Sequence, residues 1–200
     1  MKLFKGLLIV VVSSCIAVSS AIALGLEVGG NYGMYKWTDS ISSSIGWKDG
    51  NLYEAKVSIK TSKYLKLVIN YNFWKSEYSF SNVQNGDTWD TKGNSEWNSW
   101  NLCLEPFFPL KYRITPYIRA GLGLYRSKIS TTILINGVET YSNQSKSNWR
   151  IGFNYGCGLQ VRVYWLIEAN IGVSWYTLPE TSKYLKSSLR NIYLGLSVVY

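Results

Sequence analysis

The chain has 200 residues, of which 16% are aromatic and 16% charged, with no histidine and a formal charge of +9. That length suits one domain. The missing histidine removes Ser-His-Asp and His-metal chemistry, so no cofactor and no enzymatic activity are expected, and the basic residues form no cluster of the kind nucleic acid selects.

The N-terminus reads as a secretory signal. Lys2 and Lys5 precede an apolar core from Leu7 to Val18, and Ala21-Ile22-Ala23 is an A-x-A cleavage site. The expected organisation is a signal peptide over residues 1–23 and one mature domain over 24–200. An uncleaved anchor helix is an alternative. Lipoprotein processing at Cys15 is another, but the apolar run from Ile16 to Leu24 makes a poor lipoprotein linker. No later stretch is long and apolar enough for a membrane helix. Cleavage leaves Cys103 and Cys157.

The mature chain then alternates apolar and polar residues with period two, the pattern of strands between two different surroundings. The first strand runs from Leu26 to Trp37, with Val28, Tyr32 and Met34 on one face and Glu27, Asn31 and Tyr35 on the other. The second, Leu52 to Thr61, sets Tyr53, Ala55 and Val57 against Glu54, Lys56 and Ser58. The third, Leu65 to Phe80, follows a short turn. A polar loop is expected from Ser81 to Ser95. The fourth strand, Trp97 to Glu105, ends at Pro106 and Pro109. The fifth starts near Arg113 and alternates Ile118, Ala120 and Leu122 with Tyr117, Arg119 and Gly121. The sixth runs from Trp149 to Val163, the seventh from Ile167 to Tyr176, and the last from Asn191 to Tyr200. Cys103 and Cys157 fall on opposite faces of non-adjacent strands, so two free thiols are expected.

Eight strands with alternately long and short connections predict an all-β, eight-stranded antiparallel up-and-down transmembrane barrel, with both ends of the mature chain at the short-turn, periplasmic side. Its polar face is rich in Gly, Asn and Arg, which suits a narrow filled interior. Aromatics at the strand ends suit the two interfaces of a bilayer: Tyr64, Phe107, Phe108, Tyr112, Tyr164, Trp165 and Tyr200 at one rim, Trp37, Phe73, Trp100, Trp149 and Trp175 at the other. Asn136-Gly137 between two β-forming runs signals a type I′ hairpin. Pairing Ile135 with Val138 puts Leu124 opposite Trp149, Leu122 opposite Ile151 and Ala120 opposite Phe153, and strands five and six then continue as a projecting two-stranded ribbon.

The inward charges Glu27, Glu105, Arg119, Arg162 and Glu168 fall at similar depth, and a short turn at Tyr164-Trp165-Leu166 sets Arg162 opposite Glu168. The expectation is one packed ionic plug, because an unpaired buried ion costs several kcal/mol, on the order of 3–5. A charge-selective constriction is the functional alternative.

Pro116-Tyr117-Ile118-Arg119-Ala120-Gly121-Leu122-Gly123 resembles the P-Y-x-x-A-G-x-G run of the small OmpA/OmpX-like barrels. Gly152 to Arg162 resembles the next strand of that family, and the C-terminus resembles its last. The resemblance implies an outer-membrane location in a diderm bacterium. It implies that Gly195, Val198 and Tyr200 form a barrel-insertion signal engaged by the assembly machinery, and that the surrounding partners are outer-membrane lipid and lipopolysaccharide. It leaves the role open between a non-enzymatic anchor or adhesin, binding a surface ligand through its loops, and a small-solute porin.

Overall fold

The computed structural model describes residues 25–38, 47–84, 86–110, 113–178 and 188–200. The expected signal segment with Ala21 and Ala23, most of the first and last long loops, and Tyr112 lie outside the described residues. Among these residues nine strands follow one another: β1 (Leu26–Trp37), β2 (Gly50–Ser62), β3 (Leu65–Gln84), β4 (Asp87–Pro106), β5 (Ile114–Ile135), β6 (Val138–Lys146), β7 (Arg150–Tyr164), β8 (Ile167–Thr177) and β9 (Ser188–Val199). Eight of them close a barrel in the order β4-β3-β2-β1-β9-β8-β7-β5, with β4 returning to β5. All pairings are antiparallel.

The ladder fixes the barrel's dimensions. Stepping from Glu27 through its partners Ser58, Val68, Cys103, Gly121, Asn154, Tyr176 and Leu189 leads back to β1 at Trp37, ten residues further on. With a rise of about 3.3 Å per residue and strands about 4.8 Å apart, that stagger tilts the strands by roughly 40°. An eight-stranded barrel of this kind holds side chains and no open bore.

The alternation sorts as the sequence predicts. Met34, Leu102, Ile118, Leu122, Ile151, Phe153, Leu194 and Leu196 are exposed on the outer wall, while Glu27, Asn31, Glu54, Lys56, Asn70, Asn101, Glu105 and Arg119 are buried inside. Apolar residues outside and polar residues inside invert a soluble protein and match a barrel solvated by lipid. Cys103 is buried in β4 and Cys157 exposed on β7, and both are free thiols.

Three expectations need correction. Of the expected polar loop from Ser81 to Ser95, residues 81–84 and 87–95 are strand instead: β3 and β4 stay paired from Leu65↔Pro106 to Gln84↔Asp87. Polar side chains there reflect two wetted faces, not irregular backbone. Second, the projecting ribbon has four strands, because β4 also pairs with β5 up to Trp89↔Ile135 and β5 pairs with β6. Third, the register of β5 is two residues off the simple hairpin count. Ile135 does face Val138, with Asn136 and Gly137 both at positive φ, but Leu124 faces Ile151, Leu122 faces Phe153 and Ala120 faces Tyr155. A register shift after Ile133 and the break between Lys146 and Arg150 each insert one residue. Two single-residue insertions cancel in side-chain parity for β7, whose residues keep their expected face, whereas Tyr141 to Lys146, lying between the two, take the opposite face to that of the simple hairpin count.

Candidate functional site: a closed lumen and a projecting sheet

Two layers fill the lumen. The layer nearer the chain termini is ionic. Arg119 on β5 bonds through Nε to Glu105 Oε2 at 2.9 Å and reaches Glu54 Oε1 through Nη1 at 3.2 Å. Glu54 also accepts hydrogen bonds from Asn31 Nδ2 at 2.5 Å and Asn70 Nδ2 at 2.8 Å. Beside this triad, Glu27 takes Lys56 Nζ at 2.8 Å and Lys66 Nζ at 2.6 Å, with Ser58 donating at 3.1 Å. Lys66 donates further to Gln160 Oε1 at 2.8 Å. The two triads carry opposite net charge. They touch through register, since Lys66 faces Glu105 across β3 and β4, while Glu54 and Lys56 share one face of β2. Three cations therefore balance three anions inside the wall. Such balance is what a low-dielectric interior requires.

The single plug expected from five residues is thus drawn differently. Glu105 and Arg119 meet, and Glu27 belongs with two lysines rather than with an arginine. Arg162 does face Glu168, at 3.0 Å, but its side chain is 50% exposed at the mouth and stands apart from the buried ions. Glu54, Lys56 and Lys66 were not in the expected cluster. Alternation alone had already turned Glu54 and Lys56 inward; what was missing was the stagger, which carries β2 and β3 ions to the depth of Arg119.

The second layer is aromatic. Trp74 and Trp97 stack at 5.7 Å with an interplanar angle of 3°. Tyr35, Leu52, Tyr125, Tyr176, Leu178 and Leu189 pack around them. The expected rim residue Trp37 also turns toward this cluster and touches Tyr35 and Trp47. Phe107, expected at the opposite rim, is buried inside the mouth. A cavity of about 100 Å³ opens at that mouth, lined by Glu27, Lys66, Phe107, Gln160, Arg162 and Glu168. It ends against the ions. Among the described residues no group of three or more acidic, Cys or His side chains could hold a metal.

The C-terminal strand closes the barrel against β1 and β8 to its last residue, with Tyr200 N donating to Leu26 O at 2.8 Å and Val199 N to Leu166 O at 2.8 Å. Val198 and Tyr200 point outward and are exposed. Gly195 points inward. A Cβ there would collide with the Asn31 side-chain amide and lie 2.6 Å from Gly30 O and 2.8 Å from Asn170 Oδ1. Gly195→Val is therefore expected to lower stability by about 1–3 kcal/mol through overpacking, read as a lower urea midpoint after refolding into vesicles. An unchanged midpoint would leave the glycine without a packing reason.

At the far end β3, β4, β5 and β6 rise beyond the barrel as one sheet. Trp47 packs on Tyr78 at 4.7 Å and forms a bridge with it, and Lys48 N donates to Glu77 O at 2.8 Å, so the β3 side is partly covered. Among the described residues the β6 side has no neighbouring strand, and all nine residues of β6 are exposed.

The profile of the outer membrane protein beta-barrel domain matches residues 6–200. Neisserial surface protein A has a similar crystal structure, at TM-score 0.55 and 14% identity over 90% of this chain and 98% of that one. The N-terminal barrel of Pseudomonas aeruginosa OprF is similar at 0.52 and 15% identity over 88% and 97%. A major outer membrane protein of Thermus thermophilus is similar at 0.54 and 10% identity over 90% and 100%. At these identities the likeness is one of fold. Among curated proteins none matches the chain.

Proposed function

The chain belongs to the outer membrane protein beta-barrel domain family, and on that premise we propose that it is a non-enzymatic surface protein whose closed barrel anchors a projecting sheet outside the cell. Both ends of the mature chain then lie in the periplasm, beside the short turns, after removal of residues 1–23. The free edge of β6 carries this reading. Over its nine residues it pairs with β5 on one side only, and an extended segment of another protein can add to such an edge as a further strand. Near the tip the inner face beside it is apolar, with Tyr141 opposite Ile133 and Val138 opposite Ile135, and below it Asn143 and Ser145 follow on the same face, so the added strand would find an apolar contact at the tip and hydrogen-bonding side chains below. The last strand, paired on both sides and ending in an outward aromatic, fits engagement by the barrel-assembly machinery.

The test is to replace residues 131–147 with a tight turn and compare cells carrying either form. Binding to host-cell or matrix surfaces is expected to fall to background while the shortened barrel still folds. Unchanged binding would remove the support for a surface-interaction role. The porin reading draws no support from the lumen, where ions and aromatics close the path in succession.

A further inference from the structure

One row of the projecting sheet breaks an electrostatic rule. Lys75, Glu96, Lys128 and Lys146 face one another in sequence across β3, β4, β5 and β6 on the outer face. Like charges directly opposite in a ladder are destabilising, yet Lys128 and Lys146 are direct partners. The only acid of the row is already engaged, since Lys75 Nζ sits 2.7 Å from Glu96 Oε1. The hydrogen bond from Lys75 holds the Glu96 carboxyl below its ordinary pKa against the opposing effect of burial, and the charges of Lys75 and, least, Lys128 act in the same direction as the bond. One ionised acid thus serves two cations, and Lys146 at the free edge has none across from it.

The row beneath adds a fourth cation. Arg126 lies over the Trp149 ring at 5.7 Å and donates Nε to Ser147 O at 3.3 Å. Lys75 lies over the Phe73 ring at 5.7 Å. These rings face outward at the far rim of the wall, where aromatic residues mark a bilayer interface. The row above holds Glu77, Asn94, Ser130 and Gln144 in register; its one acid, Glu77, lies at the β3 end, 3.9 Å from Lys48, while beside Lys128 and Lys146 the row is neutral, with Gln144 bonded to Ser130 at 3.1 Å. On the β5–β6 side, away from Glu77, the cations Arg126, Lys128 and Lys146 are therefore confined to a band one or two rows deep, at the level of lipid head groups, with Glu96 the nearest acid in their rows.

We propose that Lys128 and Lys146, flanked by Arg126 and Lys75, form a binding site for a phosphate monoester. Such a group carries up to two charges and three acceptor oxygens, so one ligand can bridge the opposed ammonium groups and remove their repulsion. The level of the band favours a lipid headgroup as its source; a soluble phosphate ester has the same chemistry. The site depends on where the wall sits in the membrane and not on the free edge of β6.

The test uses the folded protein in phosphatidylcholine vesicles, with or without a minor fraction of phosphatidic acid, and separately with inorganic phosphate. Phosphatidic acid is expected to raise the unfolding temperature of the wild type, less so at high salt. In Lys128→Gln and Lys146→Gln the apparent affinity should fall about tenfold, the order of one charge-assisted contact. Those variants should be no less stable than the wild type in phosphatidylcholine alone, which a merely structural role would not allow. Glu96→Gln should bind more tightly, because it removes the competing acid, and Lys92→Gln, two rows higher, should match the wild type. Inorganic phosphate giving the same gain would confirm the site and assign it to a soluble ester. No gain for the wild type, or equal gains in the two lysine variants, would overturn it.

Discussion

Arg119→Met will destabilise the barrel by about 3–5 kcal/mol, the cost of removing one partner from a buried ion pair. Glu54 and Glu105 then face each other with no cation between them, in a side-chain environment that is 3% or less exposed. The hydrogen bonds that Asn31 and Asn70 give to Glu54 satisfy part of one carboxylate only. Unfolding in urea from lipid vesicles is the direct measurement, with the loss appearing as a lower midpoint at unchanged slope. Two companions separate charge from packing. Arg119→Met combined with Glu54→Gln and Glu105→Gln should recover most of the loss, because a layer without ions has nothing left to compensate. Arg162→Met should cost about 0–1 kcal/mol, since its pair with Glu168 is half open to solvent. If Arg119→Met and Arg162→Met proved equally mild, the buried layer would not be the electrostatic core described above.

The architecture was legible in the sequence because a membrane barrel writes its two faces into alternate residues. From Leu26 to Met34 apolar or glycine positions alternate with the inward Glu27 and Asn31, and β1 has the expected ends, Leu26 and Trp37. Parity also sent Glu54, Lys56 and Arg119 inward. Parity says nothing of depth, however. Which ions meet is decided by the stagger, and the stagger depends on the turns and register shifts of every hairpin around the barrel. That is why Glu27 was grouped with Glu105, Arg119, Arg162 and Glu168, while its actual partners, Lys56 and Lys66, were not in the group. The projecting sheet was half legible for a related reason. Above the membrane both faces of a strand are wet, so Ser81 to Ser95 lost the contrast that marks a strand and read as a loop, although β3, β4 and β5 hold its strand residues in register. Trp74 and Trp97 were hidden in another way: an aromatic near a strand end fits a rim as well as a core, and only the ladder partner Trp74↔Trp97, stacked inside the wall, separates the two.

That stack leads to the second large effect. Trp74 is fully buried, against Trp97 on one side and Tyr176 at 6.3 Å on the other. Trp74→Ala should cost about 3–5 kcal/mol, the range for deleting a large aromatic from a packed core, and the loss should sit near the top of that range because strands locked in a closed ladder cannot move in to fill the gap. Conductance in a planar bilayer gives an independent readout. The wild type is expected to be electrically silent, because an ion entering from either end meets the aromatic layer or the ionic layer. Trp74→Ala should stay silent despite its lost stability, since the balanced ions around Arg119 still close the lumen below. Stable open steps from the wild type would mean that neither layer seals the barrel, and a solute-pore role would then take precedence over the surface role. Steps in Trp74→Ala alone would show that the aromatic layer is the only seal and that the ions around Arg119 leave a conducting path.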